Sequence, residues 1–121
     1  MPTILIIDDN DVIRDTLVTV LEDEGFATLT AEDGVSGLRM FSEARPDVIV
    51  TDMIMPEANG LDTIREILTI DPQARIIAMS GGSRFGSYYH LDDAETLGTM
   101  HVLLKPFEPD DLVRAIKTCL G

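Results

Sequence analysis

The hydrophobic positions of this chain form two kinds of segment that alternate along its length. Short continuous apolar runs are typical of strands covered on both faces, as in parallel sheets. They predict five strands, at 3–7, 26–30, 48–51, 75–79 and 100–104. The second of these runs is more polar than the others, so we expect it nearer an edge of the sheet.

Apolar residues between the strands recur every three or four positions, which predicts amphipathic helices. In the first helix the residues that recur at this spacing are Val12, Ile13, Thr16, Leu17, Val20 and Leu21. Asp9 or Asn10 is its expected N-cap and Gly25 its expected stop. Val35, Leu38 and Phe41 mark a predicted helix around 35–41. Further helices are predicted around 61–68 and 109–120, with a weakly patterned segment at 83–98. This alternation predicts an α/β domain with a parallel sheet and helices on both faces.

Composition excludes several classes of function. The chain has 121 residues and a net charge of −13, which argues against nucleic-acid binding because that binding requires Lys and Arg at phosphates. No apolar stretch approaches the roughly 20 residues of a membrane span, and the N-terminus lacks a basic region typical of a signal peptide. We therefore expect one cytoplasmic domain. Cys119 is the only cysteine, and we expect it to pack in the core.

Polar residues follow four of the five predicted strands. Asp8 and Asp9 follow the first strand, Asp52 the third, Ser80 the fourth and Lys105 the fifth. In parallel sheets, functional groups gather at the carboxyl ends of the strands. Converging carboxylates repel unless a cation offsets them, and oxygen ligands of this kind suit Mg²⁺. A carboxylate can also act as a nucleophile toward phosphorus, with a lysine and a hydroxyl stabilising the phosphoryl oxygens.

These residues belong to a set of motifs that spans the chain: Asp8-Asp9, Asp52-Met53-Ile54-Met55-Pro56 with Gly60, Ser80, and Lys105-Pro106-Phe107. Through this set the chain resembles the receiver domain of two-component response regulators. The resemblance implies a flavodoxin-like (βα)5 fold, doubly wound, with a five-stranded parallel sheet in the order 2-1-3-4-5. It also implies a single receiver domain over residues 1–121, of the stand-alone type.

The resemblance also implies a role for each site residue. Asp52 would accept a phosphoryl group from a phosphohistidine of a sensor histidine kinase or a phosphotransfer protein. Ser80 and Lys105 would contact the phosphoryl oxygens. The implied Mg²⁺ ligands are Asp8, Asp9, Asp52 and the backbone carbonyl of Ile54. Such a domain is a phospho-acceptor rather than an enzyme, although it promotes its own phosphorylation and slow dephosphorylation.

The implied output is protein–protein contact or phosphate shuttling in a phosphorelay. We expect a monomer or weak dimer without nucleic-acid or membrane partners. In most receivers a Tyr or Phe that helps transmit the signal lies three residues before the lysine, where this chain has Val102. The segment 81–89 is also unusually rich in glycine and holds both tyrosines, which fits either core packing or a partner surface.

Two other functions are compatible with parts of the pattern. Val102 motivates a receiver-like module that binds partners regardless of phosphorylation. A Mg²⁺-dependent phosphatase of the haloacid type would use Asp52 as nucleophile and a second acid two residues later. That position is Ile54, which cannot transfer a proton, so the sequence disfavours the phosphatase.

Overall fold

A computed structural model describes residues 1–52, 60–80, 101–104 and 107–121 of the chain. Its centre is a sheet of five strands: β1 Thr3–Ile7, β2 Ala27–Ala31, β3 Val48–Asp52, β4 Ile76–Ser80 and β5 His101–Leu104. Every neighbouring pair is parallel, and the order is β2-β1-β3-β4-β5. This confirms the predicted parallel sheet and the order implied by the resemblance. It also confirms that the polar second strand lies at an edge.

Helices within the described ranges are α1 Asp11–Asp23, α2 Gly34–Ala44, α3 Gly60–Ile70 and α4 Pro109–Leu120. The weakly patterned segment at 83–98 lies outside these ranges. No helix in the described ranges combines the length and the apolar character needed to cross a bilayer.

Helices cover both faces of the sheet, and each face has its own hydrophobic core. On one face Ile4 and Ile6 pack in a cluster with residues of α1 and α4, among them Leu17, Leu21, Leu112, Ile116 and Cys119. On the other face Leu5 and Ile7 pack in a cluster with residues of α2 and α3, namely Phe41, Ile64 and Ile67. Each fully buried Ile or Leu stabilises the fold by about 1.5–3 kcal/mol. The continuous apolar run of β1 is thus explained by burial on both sides, and Cys119 is a core residue as expected.

Side chains cap the starts of α1 and α2. Asn10 Oδ1 accepts a hydrogen bond from the Ile13 amide at 3.1 Å, so Asn10 is the N-cap of α1. Asp33 caps α2, with its carboxylate accepting from the Ser36 amide at 2.7 Å and the Ser36 hydroxyl at 2.8 Å. These two donors lower the pKa of Asp33 because they stabilise its ionised form. Gly25 follows α1 with a φ of +91°, a conformation that favours glycine.

Two apolar residues predicted to mark buried helix faces are exposed instead. Val12 is 73% exposed and Val35 is 68% exposed. The buried positions of their helices are Leu17 and Leu21 in α1, and Gly34, Gly37 and Phe41 in α2. A helix turns by about 100° per residue, which places Val12 roughly 140° from Leu17 around the axis of α1. Spacing of apolar residues therefore located the helices but misassigned part of their inward faces.

Gly37 lets α2 approach β1 closely, and its substitution by Ala is expected to destabilise the protein. A Cβ at this position would lie 2.5 Å from Ile7 Cδ1 and 2.9 Å from Ile7 Cγ1. Alanine gains about 1 kcal/mol in helix propensity over glycine, but overpacking costs about 1–3 kcal/mol. Because Ile7 is fully buried and its Cγ1 lies close to the strand backbone, we expect the cost of overpacking to exceed the gain in helix propensity. Urea denaturation should show a net loss of about 1 kcal/mol.

The Ile7→Val variant provides the control for this prediction, since it removes the Cδ1 atom nearest to the new methyl group. The double variant should lose less stability than the sum of the two single losses, because the clash is partly relieved. Strict additivity would contradict the proposed contact.

Candidate functional site

Three carboxylates converge at the carboxyl edge of the sheet. Asp8 directly follows β1, and Asp52 is the last residue of β3. The two strands are in register at Ile7 and Thr51, so the two acids occupy matching positions one residue further on. One carboxylate oxygen from each of Asp8, Asp9 and Asp52 lies within 4.8 Å of the others. The predicted convergence of the three acids is therefore observed.

The three acids differ in their exposure to solvent. Asp8 is completely buried and Asp52 is 7% exposed, whereas Asp9 lies at the surface. The cluster therefore combines two buried carboxylates with one that solvent reaches.

Local hydrogen bonds hold the turn that carries Asp8 and Asp9. The Asp8 amide donates to the Ala31 carbonyl at 3.1 Å, which extends the pairing of β1 with β2 by one residue. One carboxylate oxygen of Asp8 accepts from the Asn10 amide at 2.9 Å. Because Asn10 also caps α1, strand, turn and helix form one connected unit.

Arg14 makes a further contact to this turn. Its guanidinium donates through Nη1 to the backbone carbonyl of Asp8 at 2.7 Å, and through Nη2 to the carboxylate of Asp11. The Arg14 side chain is only 16% exposed, although Asp11 is 79% exposed. Sequence reasoning missed this contact. The three-residue spacing of Asp11 and Arg14 on a helix was the available signal, but it indicates only a surface ion pair.

The chemistry of this donor set fits a hard divalent cation. Carboxylate oxygens are the ligands that Mg²⁺ prefers, and Mg²⁺ is commonly held by one or two carboxylates with water or phosphate oxygens completing its shell. Two buried acids and one exposed acid match that requirement, since solvent reaches the exposed carboxylate. A cation here would also offset the repulsion between the three negative charges.

The remaining predicted site residues are described only in part. Ser80 ends β4, one residue beyond Met79, which pairs with Asp52, so its backbone reaches the same edge of the sheet. β5 ends at Leu104, which pairs with Ser80 and directly precedes Lys105. The side chains of Ser80 and Val102 are not described. Lys105, Ile54 and the segment 81–89 lie outside the described residues.

Fold and site together define a doubly wound α/β domain with an acidic cluster at the carboxyl edge of its sheet. The chain belongs to the family of response regulator receiver domains, whose family model matches residues 4–117. Membership assigns it to two-component signalling, in which the receiver accepts a phosphoryl group.

Three known proteins similar to this chain match it over most of their length. The chemotaxis protein CheY of Thermotoga maritima is 33% identical over 114 residues, covering 93% of this chain and 92% of that protein. Sporulation initiation phosphotransferase F of Bacillus subtilis is 32% identical over 117 residues, covering 97% of this chain and 92% of that protein. The crystal structure of a response regulator receiver domain protein from Clostridium thermocellum superposes with a TM-score of 0.93. It is 35% identical and covers 99% of this chain and 94% of that one.

Proposed function

We propose that this protein is a Mg²⁺-dependent phosphoryl acceptor that is phosphorylated on Asp52 by a phosphohistidine of a sensor kinase or phosphotransfer protein. The observation that carries the proposal is the convergence of Asp8, Asp9 and Asp52, with carboxylate oxygens within 4.8 Å of one another. A solvated surface acid needs no such neighbours. An acid that receives a phosphoryl group needs a cation beside it, and two adjacent carboxylates supply the ligands for one.

The proposed reaction is an in-line displacement at phosphorus. An Asp52 carboxylate oxygen forms a bond to the phosphorus atom while the bond from phosphorus to the imidazole nitrogen of the donor breaks. That nitrogen keeps the electron pair and takes up a proton, so an acyl phosphate and a neutral histidine result. Bound Mg²⁺ would neutralise charge on the phosphoryl oxygens. Burial of the end of β3 would restrict the Asp52 side chain, which would lower the entropic part of the barrier.

Other residues complete the proposed site by their match to the family motifs. The Ile54 carbonyl would be a further Mg²⁺ ligand. The Ser80 hydroxyl would donate to one phosphoryl oxygen and the Lys105 ammonium would pair with another. Output would occur through protein contact or by passing the phosphoryl group onward in a phosphorelay.

Phosphoramidate tests this function directly, because it is a small donor whose P–N bond resembles that of phosphohistidine. The protein should gain the mass of one phosphoryl group in the presence of Mg²⁺, and the gain should vanish when EDTA removes the metal. Borohydride converts an aspartyl phosphate to homoserine, so peptide mapping should place homoserine at position 52.

Absence of uptake from phosphoramidate, from acetyl phosphate and from a panel of phosphorylated histidine kinases would contradict the proposal. It would favour the receiver-like module that binds partners regardless of phosphorylation. In that case beryllofluoride with Mg²⁺ should leave partner affinity unchanged.

A further inference from the structure

The geometry points to Arg14 as a positioning residue for the proposed Mg²⁺ site. Its guanidinium bonds to the backbone carbonyl of Asp8, which belongs to the same planar peptide group as the amide of Asp9. A hydrogen bond to that carbonyl therefore restricts the rotation of the peptide joining the two acids. The orientation of this peptide strongly influences the position of the Asp9 side chain, which lies at the surface.

The two terminal nitrogens of the planar guanidinium explain why an arginine is suited to position 14. One nitrogen bonds the carbonyl of the turn while the other bonds Asp11 in the first turn of α1. Asp11 thereby sets the direction of the guanidinium. A lysine has a single charged nitrogen on a flexible chain and cannot hold both partners in a fixed planar arrangement.

Arg14 differs in these respects from another arginine of the described structure. Arg114 in α4 makes the same kind of pair with an acid three residues earlier, Asp111, at 3.4 Å. Its side chain is 73% exposed, against 16% for Arg14. Arg114 is therefore a matched control for the loss of a helical Arg–Asp pair.

The role of Arg14 rests on the proposed function, and metal binding without a phosphoryl donor tests it separately. Free Mn²⁺, counted by electron paramagnetic resonance, serves as the probe, with Mg²⁺ affinity obtained by competition. Arg14→Ala should lower the affinity for both metals by about tenfold. This is the lower end of the loss in affinity seen when residues that support metal ligands are removed. Arg14→Lys should remain nearly as weak, whereas Arg114→Ala should bind as wild type does. Circular dichroism verifies that each variant is folded.

Phosphoramidate kinetics supply a second readout. In Arg14→Ala the Mg²⁺ concentration for half-maximal uptake should rise by about the same tenfold factor. The rate at saturating Mg²⁺ should stay within about twofold of wild type, because Asp52 is unchanged. General damage to the fold would lower the saturating rate as well.

Three results would overturn the role of Arg14 while leaving the proposed function intact. They are wild-type metal affinity in Arg14→Ala, full recovery of affinity in Arg14→Lys, which would show that charge alone matters, and an equal loss in Arg114→Ala. Wild-type protein that binds neither metal would instead overturn the proposed function, and the role of Arg14 with it.

Discussion

Asp52→Asn is expected to abolish stable phosphoryl uptake while the protein remains folded. Asparagine has nearly the shape of aspartate, so the end of β3 should accept it with little rearrangement. Its neutral amide, however, is a far weaker nucleophile toward phosphorus than a carboxylate. We expect uptake from phosphoramidate to fall by at least about a hundredfold, equivalent to roughly 2.7 kcal/mol of barrier. Intact-protein mass spectrometry with Mg²⁺ measures it.

Asp23→Asn is the matched control for this loss. Asp23 is an exposed acid at the end of α1, so its substitution removes the same charge without altering the cluster. Its uptake should equal that of wild type. If Asp52→Asn took up the phosphoryl group as fast as wild type, or if borohydride marked another acid in the wild-type protein, the assignment of the acceptor would be wrong.

Asp9→Asn is expected to change stability in opposite directions with and without Mg²⁺. Without metal, the substitution removes one of three negative charges whose oxygens lie within 4.8 Å of one another. Relief of this repulsion should raise the midpoint of thermal unfolding by roughly 2–5 °C. With metal, the site has lost a charged ligand, so Mg²⁺ affinity should fall by at least about tenfold, or 1.4 kcal/mol.

The difference between the two conditions is the useful measurement. Ligand at a hundred times its dissociation constant stabilises a folded protein by about 2.7 kcal/mol. At that concentration wild type should become more stable than Asp9→Asn, although it is less stable in EDTA. Asp23→Asn should respond to Mg²⁺ as wild type does. Equal stabilisation of wild type and Asp9→Asn by Mg²⁺ would remove Asp9 from the proposed metal site.

Salt separates the electrostatic part of this prediction from packing. Exposed charges are screened within about 10 Å at 0.1 M ionic strength and about 3 Å at 1 M. The increase in thermal stability that Asp9→Asn shows in EDTA should therefore be smaller in 1 M NaCl. A gain that did not depend on salt would point to a cause other than repulsion among the three acids.

The sequence by itself determined the parallel α/β class, the approximate place of each strand and the acids at the strand ends. Burial on both faces leaves a signal that is local in the chain, because a strand covered on both sides must be apolar at successive positions. β1 matched its predicted bounds, while each other strand differed by one residue at one or both ends, because the ends of a strand depend on its pairing with neighbouring strands. The order of the strands followed from the motif resemblance rather than from the hydrophobic pattern, because the pattern of one strand does not indicate which strand it pairs with.

Only the tertiary structure decided which helix residues pack inward and which side chains contact backbone atoms. Val12 and Val35 are apolar helix positions that the fold leaves exposed, whereas Gly37, which the apolar pattern did not include, is buried. Gly37 has no side chain to signal that α2 approaches Ile7, and Arg14 resembles an ordinary partner for Asp11. The hydrogen bond from Arg14 to the Asp8 carbonyl depends on the orientation of α1 relative to β1. Contacts to backbone atoms leave little trace in residue type, because every residue has a carbonyl and the fold alone determines which one is reached.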